Sequence, residues 1–434
     1  MPTACVVRRM KSSSASIIDF PIPDSVRETV KSSLLDSVAK DDSQAWIDNP
    51  NVNGINNQIS RLHDPLDDLF LNMETRYWPD LPPGVQVDAD PFFLSKTEVE
   101  GLSKSIREDL LGTDHPVLNK AASYFFGSAD GGKKVRPMMV MLLSRALADT
   151  LGQSSMPDES SLFTEPLSWQ RPDLPAAQRR LAEISEMIHT ASLFHDDVID
   201  GADTRRGMAS VHMVFGNKMA ILAGDYLLAR ASICLARLRN VEVVETMSTI
   251  IEHLVRGEVM QMSGSSSSDG KNERMIYYLK KNFYKTGSLM ANSCKSAALL
   301  ADCPSELVIA SYKFGKHVGM AFQLVDDVLD FEGSVSSMGK PALADLNAGL
   351  ATAPVLFAAE KYPELEILMD RKFKEEDDVE TARKLVFDSD GIERTKQLAQ
   401  VHAELAMEAV LELDSGVHRD ALLNLAYKVV SRTN

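Results

Sequence analysis

The sequence predicts an all-α domain that runs from about residue 91 to the C-terminus. Segment after segment carries apolar residues at helical spacing, and the period-2 alternation typical of half-buried strands is scarce. Long helical stretches that follow one another indicate a core built by packing helix on helix. The clearest of these stretches are residues 179–200, 217–238, 243–262 and 420–432.

The composition excludes several classes of protein. The chain has 434 residues, with 46 Lys+Arg against 62 Asp+Glu, so its formal net charge is −16. This acidity argues against a nucleic-acid partner, because binding to nucleic acids depends on clustered Lys and Arg. No uninterrupted apolar run approaches the ~20 residues that span a bilayer. The four cysteines show no CxxC spacing and indicate neither a zinc site nor a disulfide scaffold.

We interpret residues 1–90 as an N-terminal extension outside the helical domain, which we place at residues 91–434. The first 18 residues contain two arginines, one lysine and several serines but no acidic residue. This composition resembles an organelle transit peptide, although a disordered tail explains it equally well. We therefore expect a mitochondrial protein, with plastid and cytosol as alternatives. No role is assigned to residues 19–90 or to the predicted loop at 151–175.

Two aspartate clusters far apart in the chain share one spacing. They comprise Asp196, Asp197 and Asp200, and Asp326, Asp327 and Asp330. Because like charges at positions i and i+4 destabilise a helix, local propensity does not explain this spacing. Carboxylate oxygens suit Mg²⁺, which takes one or two carboxylates together with water and substrate phosphate oxygens. One such cluster is often only a solvated acidic face, but two that each follow an apolar helix predict a site for Mg²⁺ and a phosphate-bearing ligand.

A phosphate-bearing ligand also needs cationic partners, and several basic residues lie close to the aspartates or to glycines in the sequence. Arg can bind a phosphate through two parallel hydrogen bonds, whereas Lys acts as a point charge. Taken singly, each basic residue is more often a solvated surface charge. The candidates are Lys133 and Arg136 in GGKKVRP, Arg205 and Arg206 after the first cluster, Lys285 beside Thr286, and Lys340 after the second cluster.

The ordered motifs GGKKVRP, HTASLFHDDVID, DTRRG, GEVMQ, YKTGSL, FQLVDDVLD, GKP and ATAPVLFA resemble those of the trans-isoprenyl diphosphate synthases. The resemblance covers about residues 91–434 and points in particular to long-chain polyprenyl diphosphate synthases of the quinone side-chain type. It implies the isoprenoid synthase fold, a large antiparallel helix bundle around a central cavity. The expected assembly is a homodimer, with a heteromer as the alternative. The expected activity is a Mg²⁺-dependent transfer that adds isopentenyl diphosphate head to tail to an allylic diphosphate.

The resemblance also implies residue roles. Metal ions, three per site with substrate bound, would be held by Asp196, Asp197, Asp200, Asp326, Asp327 and Asp330. The allylic diphosphate would contact Arg205, Lys285, Thr286, Gln323 and Lys340. Isopentenyl diphosphate would contact Lys133, Arg136, His189 and Arg206. The groups expected to act directly in the reaction are Asp196, Asp200, Lys285, Thr286 and Asp326.

The implied reaction needs no Ser or Cys nucleophile. Metal ions and cationic side chains neutralise the charge that builds on the departing diphosphate, so the allylic C–O bond ionises. The double bond of isopentenyl diphosphate then attacks the allylic cation. Loss of a proton to the released diphosphate completes the addition of one isoprene unit.

Product length depends on the residues just before the first cluster, which line the tunnel for the growing tail in this family. Ala191 and Ser192 are both small, and the 1.5 Å rise per residue places Ala191 about 7 Å from Asp196 along the helix. Phe194 should point elsewhere on the helix. We therefore expect a hexaprenyl to decaprenyl product for a quinone such as ubiquinone, rather than a geranylgeranyl or farnesyl product.

Two other classes of protein share parts of this pattern. Terpene cyclases use one DDxxD motif with Mg²⁺ but lack GGKxxRP and a second DDxxD. A regulatory subunit of a heteromeric synthase typically loses aspartates or basic contacts that this chain keeps. Leu343 and Leu350 stand where the family commonly has glycine and lysine, which alters the loop near Lys340 and removes one phosphate contact. Peripheral membrane association is expected to aid release of the apolar product.

Overall fold

The structure is a computed structural model that describes residues 81–112, 115–127, 134–152, 174–205, 207–263, 271–332 and 343–432. The all-α prediction is confirmed, because these residues form helices and turns apart from one hairpin of two-residue strands. Three predicted contacts, Lys133, Arg206 and Lys340, lie outside the described residues. So do the predicted transit peptide, residues 19–80, and most of the predicted loop at 151–175.

The first half of the described chain forms the helices around the first aspartate cluster. They are α1 (Pro91–Ser105), α2 (Pro116–Ala122), α3 (Val135–Thr150), α4 (Leu174–Ile199), α5 (Val211–Phe215), α6 (Asn217–Arg237), α7 (Val241–Ser263) and α8 (Lys271–Asn282). After α4, the strands β1 (Thr204–Arg205) and β2 (Met208–Ala209) pair antiparallel. A π-helical turn (Ile106–Leu110) extends α1, and a 3₁₀ turn (Tyr124–Phe126) follows α2.

The second half begins with a π-helical turn (Phe283–Gly287) that joins α8 to α9. The remaining helices are α9 (Ser288–Leu300), α10 (Ser305–Glu332), α11 (Ala344–Asn347), α12 (Ala353–Lys361), α13 (Glu364–Asp370), α14 (Asp378–Phe387), α15 (Gly391–Val410) and α16 (Val417–Val430). The second aspartate cluster lies near the C-terminal end of α10.

Helix boundaries follow local chemistry. The Asp90 carboxylate accepts hydrogen bonds from the backbone N–H groups of Phe92 at 2.8 Å and Phe93 at 3.1 Å, which caps the start of α1. Pro91 fits the first turn, where a helix needs no N–H donor. Gly216 separates α5 from α6 with a φ of 83°, a left-handed value that glycine adopts without a steric penalty.

Helix α9 lies at the centre of the bundle. Nearly all of its side chains are buried, and it packs against α3, α4, α7 and α10. Because α9 is rich in Ala and Ser, its neighbours approach it closely and fill the surrounding space with larger side chains. These include the fully buried Phe194 on α4, Met247 on α7 and Phe314 on α10. Each such side chain contributes roughly 1.5–3 kcal/mol by leaving water.

Helix α10 crosses the π-helical turn and the start of α9 at backbone contact. A Cβ atom on Gly315 would lie 2.4 Å from the Met290 carbonyl oxygen, and one on Gly319 would lie 2.8 Å from the Gly287 Cα. Neither position has room for a side chain, so these glycines permit the crossing. The crossing brings Gln323, which is one turn further along α10, to the π-helical turn.

Residues 81–90 pack against the last helix, α16. The Gln86 N–H donates to the Asp420 carboxylate at 3.0 Å, and the Asn424 amide donates to the carbonyl groups of Gln86 at 2.9 Å and Ala89 at 3.2 Å. Ala89 is buried in the core shared with α16. The packed domain therefore includes residues before the predicted boundary at 91, which itself stays a prediction.

By length and composition alone, α6 is the one described helix that could cross a bilayer. Its sequence contains Lys218, Asp225 and Arg230, so the apolar run is not continuous. One face, with Ala223 and Leu227, is buried against α4. This packing makes α6 a bundle helix whose other face is exposed.

Candidate active site

Both aspartate clusters lie at the C-terminal ends of long helices. Asp196 and Asp197 are in the last turn of α4 and Asp200 follows it, while the second cluster lies in the last two turns of α10. A helix C-terminus carries partial negative charge, so carboxylates there are unfavourable unless a cation compensates them. The negative charge of each aspartate cluster and its place at a helix C-terminus therefore both favour a cation site there.

Asp196 and Asp200 share their surroundings with one lysine and one further acid. Burial raises the pKa of Asp196 to about 6, Lys285 opposes this rise, and the negative charges of Glu258 and Asp200 add to it. The pKa of Asp200 is also raised by burial, with the same opposing effect of Lys285 and the same reinforcing effect of Glu258. Burial is thus the main cause of both raised pKa values, and the acidic neighbours add to it.

Among the described residues, Asp197, unlike Asp196 and Asp200, forms a buried ion pair with an arginine. Its side chain is completely buried, and its Oδ1 accepts hydrogen bonds from Arg205 Nε at 2.8 Å and from the terminal guanidinium nitrogen at 2.5 Å. Its Oδ2 is buried without a hydrogen-bond partner. Asp197 therefore anchors the β1–β2 hairpin through Arg205. A predicted metal ligand and a predicted diphosphate contact are bonded to each other in this structure.

Asp327 is the buried centre of the second cluster. Tyr278 donates its hydroxyl hydrogen to Asp327 Oδ2, and the Gln323 amide donates to Oδ1 at 2.9 Å. Gln323 in turn accepts a hydrogen bond of 3.0 Å from the Thr286 hydroxyl. Burial raises the pKa of Asp327, while the hydrogen bonds from Tyr278 and Gln323 and the charge of Lys281 oppose this rise. The network ties α10 to α8 and the π-helical turn.

The Asp330 carboxylate binds two backbone N–H groups. Its two carboxylate oxygens accept the N–H groups of Ala344 at 3.0 Å and Asp345 at 3.2 Å. The residue before them, Leu343, has a φ of 60° and donates its N–H to the Asp330 carbonyl at 3.0 Å. A left-handed backbone favours glycine, so Leu343 adopts a conformation that a residue with a side chain rarely takes. Asp330 therefore binds the start of α11.

Asp326 faces the C-terminal residues of the chain. Arg432 donates a hydrogen bond to Asp326 Oδ1, and its guanidinium stacks on the Phe322 ring at 4.7 Å. Phe322 and Asp326 are one helical turn apart on α10, so Arg432 covers that face of the helix end. Sequence reasoning missed Arg432, which lies outside every recognised motif.

Two of the four residues predicted to bind isopentenyl diphosphate lie next to each other. Arg136 at the start of α3 and His189 on α4 are far apart in the sequence, yet the guanidinium nitrogen lies 3.1 Å from His189 Nε2. A guanidinium can only donate, so His189 Nε2 accepts here, and the remaining N–H groups of Arg136 are suitable donors for an anionic group. Lys133 and Arg206, assigned to the same substrate, lie outside the described residues.

The residues predicted to set product length have different surroundings. Ala191 is fully buried in the core, on the side of α4 where the Phe194 ring packs against Phe125 at 5.5 Å. Ser192 is only partly buried, and its hydroxyl donates to the His189 carbonyl at 2.8 Å. Further along α4, a small cavity opens between α4, α6 and α7. Its lining includes Ile188, Ala231, Ser232, Leu235, Val244, Ser248 and Ile251.

Within the described ranges, no three His, Cys, Asp or Glu side chains converge closely enough to hold an ion by themselves. Pairs of carboxylates fit Mg²⁺ nonetheless, because this ion keeps several waters and binds phosphate oxygens beside one or two carboxylates. The Asp196 and Asp200 carboxylates, one turn apart at the end of α4, and the partly exposed Asp326 carboxylate suit such an ion. The donor set therefore fits the cation that the sequence predicts.

The family model described as Polyprenyl synthetase matches residues 115–386, which contain both aspartate clusters. The chain belongs to the polyprenyl synthetase family. The match covers α4, α7 and α10, the three helices on which most of the site is built.

Named relatives of this polyprenyl synthetase make long prenyl chains. The chain is 46% identical over 370 residues to the probable hexaprenyl pyrophosphate synthase, mitochondrial, of Neurospora crassa, covering 79% of this chain and 82% of the relative. It is 42% identical to solanesyl-diphosphate synthase 1, mitochondrial, of Oryza sativa, covering 79% of each chain. Among solved structures, a polyprenyl synthase from Caulobacter crescentus, complexed with calcium and isoprenyl diphosphate, matches with a TM-score of 0.67 at 29% identity. That match covers 81% of this chain and all of the other.

These similarities confirm several predictions. The isoprenoid synthase fold, the transferase class and the long-chain polyprenyl diphosphate synthase type are confirmed. The mitochondrial localisation is confirmed by relatives that are named mitochondrial. The individual site residues, the number of metal ions and the assembly remain predictions.

Proposed function

We propose that this polyprenyl synthetase condenses isopentenyl diphosphate head to tail onto an allylic diphosphate until the product has six to ten isoprene units. One observation carries the proposal: a single short segment, residues 278–286, interacts with both aspartate clusters. At one end of this segment Tyr278 bonds to Asp327, and at the other Thr286 connects to Asp327 through Gln323. Lys285 lowers the pKa of Asp196 and of Asp200. A ligand bound between the clusters would meet carboxylates from both sides and cationic donors from this segment. The names of the relatives support a product for the quinone side chain.

Asp196, Asp200 and Asp326 are proposed to hold the Mg²⁺ ions, three per site once substrate is bound. The calcium and isoprenyl diphosphate in the Caulobacter polyprenyl synthase support a divalent cation beside a diphosphate in this family. When bound, Mg²⁺ would neutralise charge on the departing diphosphate. The partial exposure of Asp326 and the raised pKa of Asp196 support these assignments.

Lys285 and Thr286 are proposed to act on the leaving diphosphate. Both lie on the π-helical turn between α8 and α9, so their side chains reach the site from the same backbone segment. The Lys285 ammonium would offset the charge that develops as the allylic C–O bond breaks, and the Thr286 hydroxyl would donate a hydrogen bond to it. Arg136 and His189 would hold isopentenyl diphosphate, whose double bond attacks the allylic cation. The proton released in this step would leave with the diphosphate.

A homodimer is proposed from the exposed apolar side chains of α5 and α6. Met213, Val214, Ile221, Leu222 and Ile233 are each at least two-fifths exposed. Burying such a face against a second copy removes apolar surface from water and needs no change in the bundle. Light scattering of Leu222→Glu should show a monomer where the natural chain is a dimer. A dimer that persists, or binding of the natural chain to lipid vesicles through this face, would contradict the assignment.

Replacement of the aspartates tests the proposed chemistry. Asp196→Asn and Asp326→Asn, combined in one chain, should abolish incorporation of labelled isopentenyl diphosphate while circular dichroism stays unchanged. Asp414→Asn is the matched control, because Asp414 lies in an exposed loop between α15 and α16. Unchanged activity of the double variant would contradict the proposal. Activity that requires an added second subunit would favour the heteromeric alternative.

A further inference from the structure

The motif GEVMQ contributes a charged residue to the site that the proposed reaction does not use. Glu258 lies on α7, and its Oε2 accepts a hydrogen bond of 2.5 Å from the Lys285 ammonium. The two side chains are only 12% and 18% exposed, so this ion pair is largely shielded from water. Shielding strengthens an ion pair relative to one at the surface, where such pairs contribute little.

The preceding glycine determines where the lysine side chain lies. A Cβ atom on Gly257 would lie 2.6 Å from Lys285 Cγ and 3.1 Å from Tyr284 Cβ. The aliphatic part of Lys285 therefore lies directly against the α7 backbone at Gly257. This close approach places the ammonium group beside Glu258, the next residue along α7.

The ammonium has two other acidic neighbours. Lys285 lowers and Glu258 raises the pKa values of both Asp196 and Asp200, so all four groups are close enough to interact. A lysine among three carboxylates pairs with the one that geometry favours, which here is Glu258. Without the Glu258 charge, the ammonium would turn to the two aspartates and compete with a cation for them.

We propose that Glu258 is a positioning residue that holds the Lys285 ammonium away from Asp196 and Asp200 and so keeps both carboxylates available to a divalent cation. This inference rests on the proposed function, in which the two aspartates hold the cation. It assigns to the GEVMQ motif a role in selecting the partner of Lys285.

The test measures binding of Mn²⁺ to the full-length chain without substrate, by electron paramagnetic resonance. The variants are Glu258→Gln, Lys285→Met and the double variant. Glu258→Gln should weaken Mn²⁺ binding about tenfold, a typical energetic coupling between groups in direct contact. The double variant should recover the affinity of the natural chain to within about twofold, because it contains no ammonium that could occupy the aspartates.

Two controls make the outcomes distinct. Glu252→Gln removes the exposed partner of Arg256 on the same helix, at 2.7 Å, and should leave Mn²⁺ affinity unchanged. Thermal melting of each variant shows that it folds. Unchanged affinity in Glu258→Gln would overturn the proposal. Equally weak binding in Glu258→Gln and the double variant would also overturn it, since Glu258 would then be a ligand itself. If Asp196→Asn does not weaken binding, the proposed cation site fails instead.

Kinetics supply a second readout. Glu258→Gln should raise the Mg²⁺ concentration needed for half-maximal rate, and excess Mg²⁺ should restore kcat. Lys285→Met should lower kcat at every Mg²⁺ concentration, because the ammonium itself acts on the diphosphate. A loss of kcat in Glu258→Gln that excess Mg²⁺ does not restore would contradict a positioning role.

Discussion

The Thr286 hydroxyl donates a hydrogen bond of 3.0 Å to the side-chain carbonyl of Gln323, which joins the π-helical turn to α10. Both residues were assigned from the sequence to the same diphosphate. Their contact depends on the close crossing at Gly319, where a Cβ atom would lie 2.8 Å from the Gly287 Cα. The hydrogen bond between Thr286 and Gln323 therefore depends on the close packing of Gly319 against Gly287.

Gly319→Ala should disturb this crossing. Because the added methyl group meets backbone, the helices must move apart, which should lower the free energy of unfolding by about 1–3 kcal/mol. The rate of prenyl transfer should fall as well, since Gln323 moves away from Thr286. Gly112→Ala is the control, because a Cβ atom there meets nothing within 4 Å. Urea unfolding and the transfer assay measure both effects, and equal stability of the two variants would contradict the packing account.

Ile188 and Ser192 should influence product length more than Ala191. Ile188, Ser192 and Asp196 follow one another at i, i+4 and i+8 on one face of α4, and Ile188 lines the cavity about 12 Å from Asp196 along the helix. Ser192→Phe should shorten the product, and Ile188→Ala should lengthen it. Chromatography of the products measures both changes.

Ile184→Ala is the matched control for Ile188→Ala. Ile184 is also fully buried on α4 but does not line the cavity. It should lose similar stability, about 2–5 kcal/mol, without a change in product length. Ala191→Phe should chiefly destabilise the fold, because Ala191 is fully buried and a phenyl ring would overpack the core around it. A product shortened by Ala191→Phe at full stability would support the original sequence prediction instead.

Acid should weaken the contact between α10 and α15. His317 and His402 share a hydrogen bond of 2.9 Å between their Nδ1 atoms. Burial and the charge of Lys316 lower the pKa of His402 to about 3, and burial lowers the pKa of His317 well below 6.5. The unfolded chain therefore takes up protons that the folded chain does not, so stability falls as the pH drops below about 6.5.

The comparison of His402→Gln with the natural chain isolates this effect. Acids with a raised pKa, such as Asp196, change stability in the opposite direction, but their contribution is common to both proteins. Between pH 7.5 and 5, the variant should lose less thermal stability than the natural chain. Melting curves with the same pH dependence for both proteins would contradict the assignment.

Arg432 should compete with a divalent cation for Asp326. The pair is partly exposed, so its contribution is modest, and Arg432→Gln should raise Mn²⁺ affinity only about threefold. Arg419→Gln is the control, because Arg419 bonds to Asp420 on α16. Titration calorimetry measures both variants. A lower affinity in Arg432→Gln would show that the arginine supports the cation site.

Much of the fold and the metal-binding half of the site could be predicted from the sequence, because both depend on local patterns. Helical spacing of apolar residues reveals a helix wherever it packs, and the D-D-x-x-D spacing already places carboxylates one turn apart. The neighbours of those carboxylates come from other helices. Glu258, Tyr278, Lys281 and Arg432 reach the site only because helices cross at particular points, and no local pattern encodes the crossing.

Because helix packing cannot be read from a local pattern, adjacent residues of similar type can have different surroundings. Asp196 and Asp197 are adjacent in the sequence, but a rotation of about 100° along the helix turns Asp197 into the protein, where it meets Arg205. Ala191 and Ser192 differ in the same way, one facing the core and the other a partly open surface. The sequence identified both pairs, and only the packing of α4 distinguishes their members.

A product assay with purified natural chain tests the central claim most directly. It combines farnesyl diphosphate, labelled isopentenyl diphosphate and Mg²⁺, and chromatography resolves the chain lengths. The expected result is a ladder that ends between six and ten isoprene units, formed without any added protein. A ladder that stops at four units would contradict the long-chain assignment, and no product from the chain alone would contradict its independent activity.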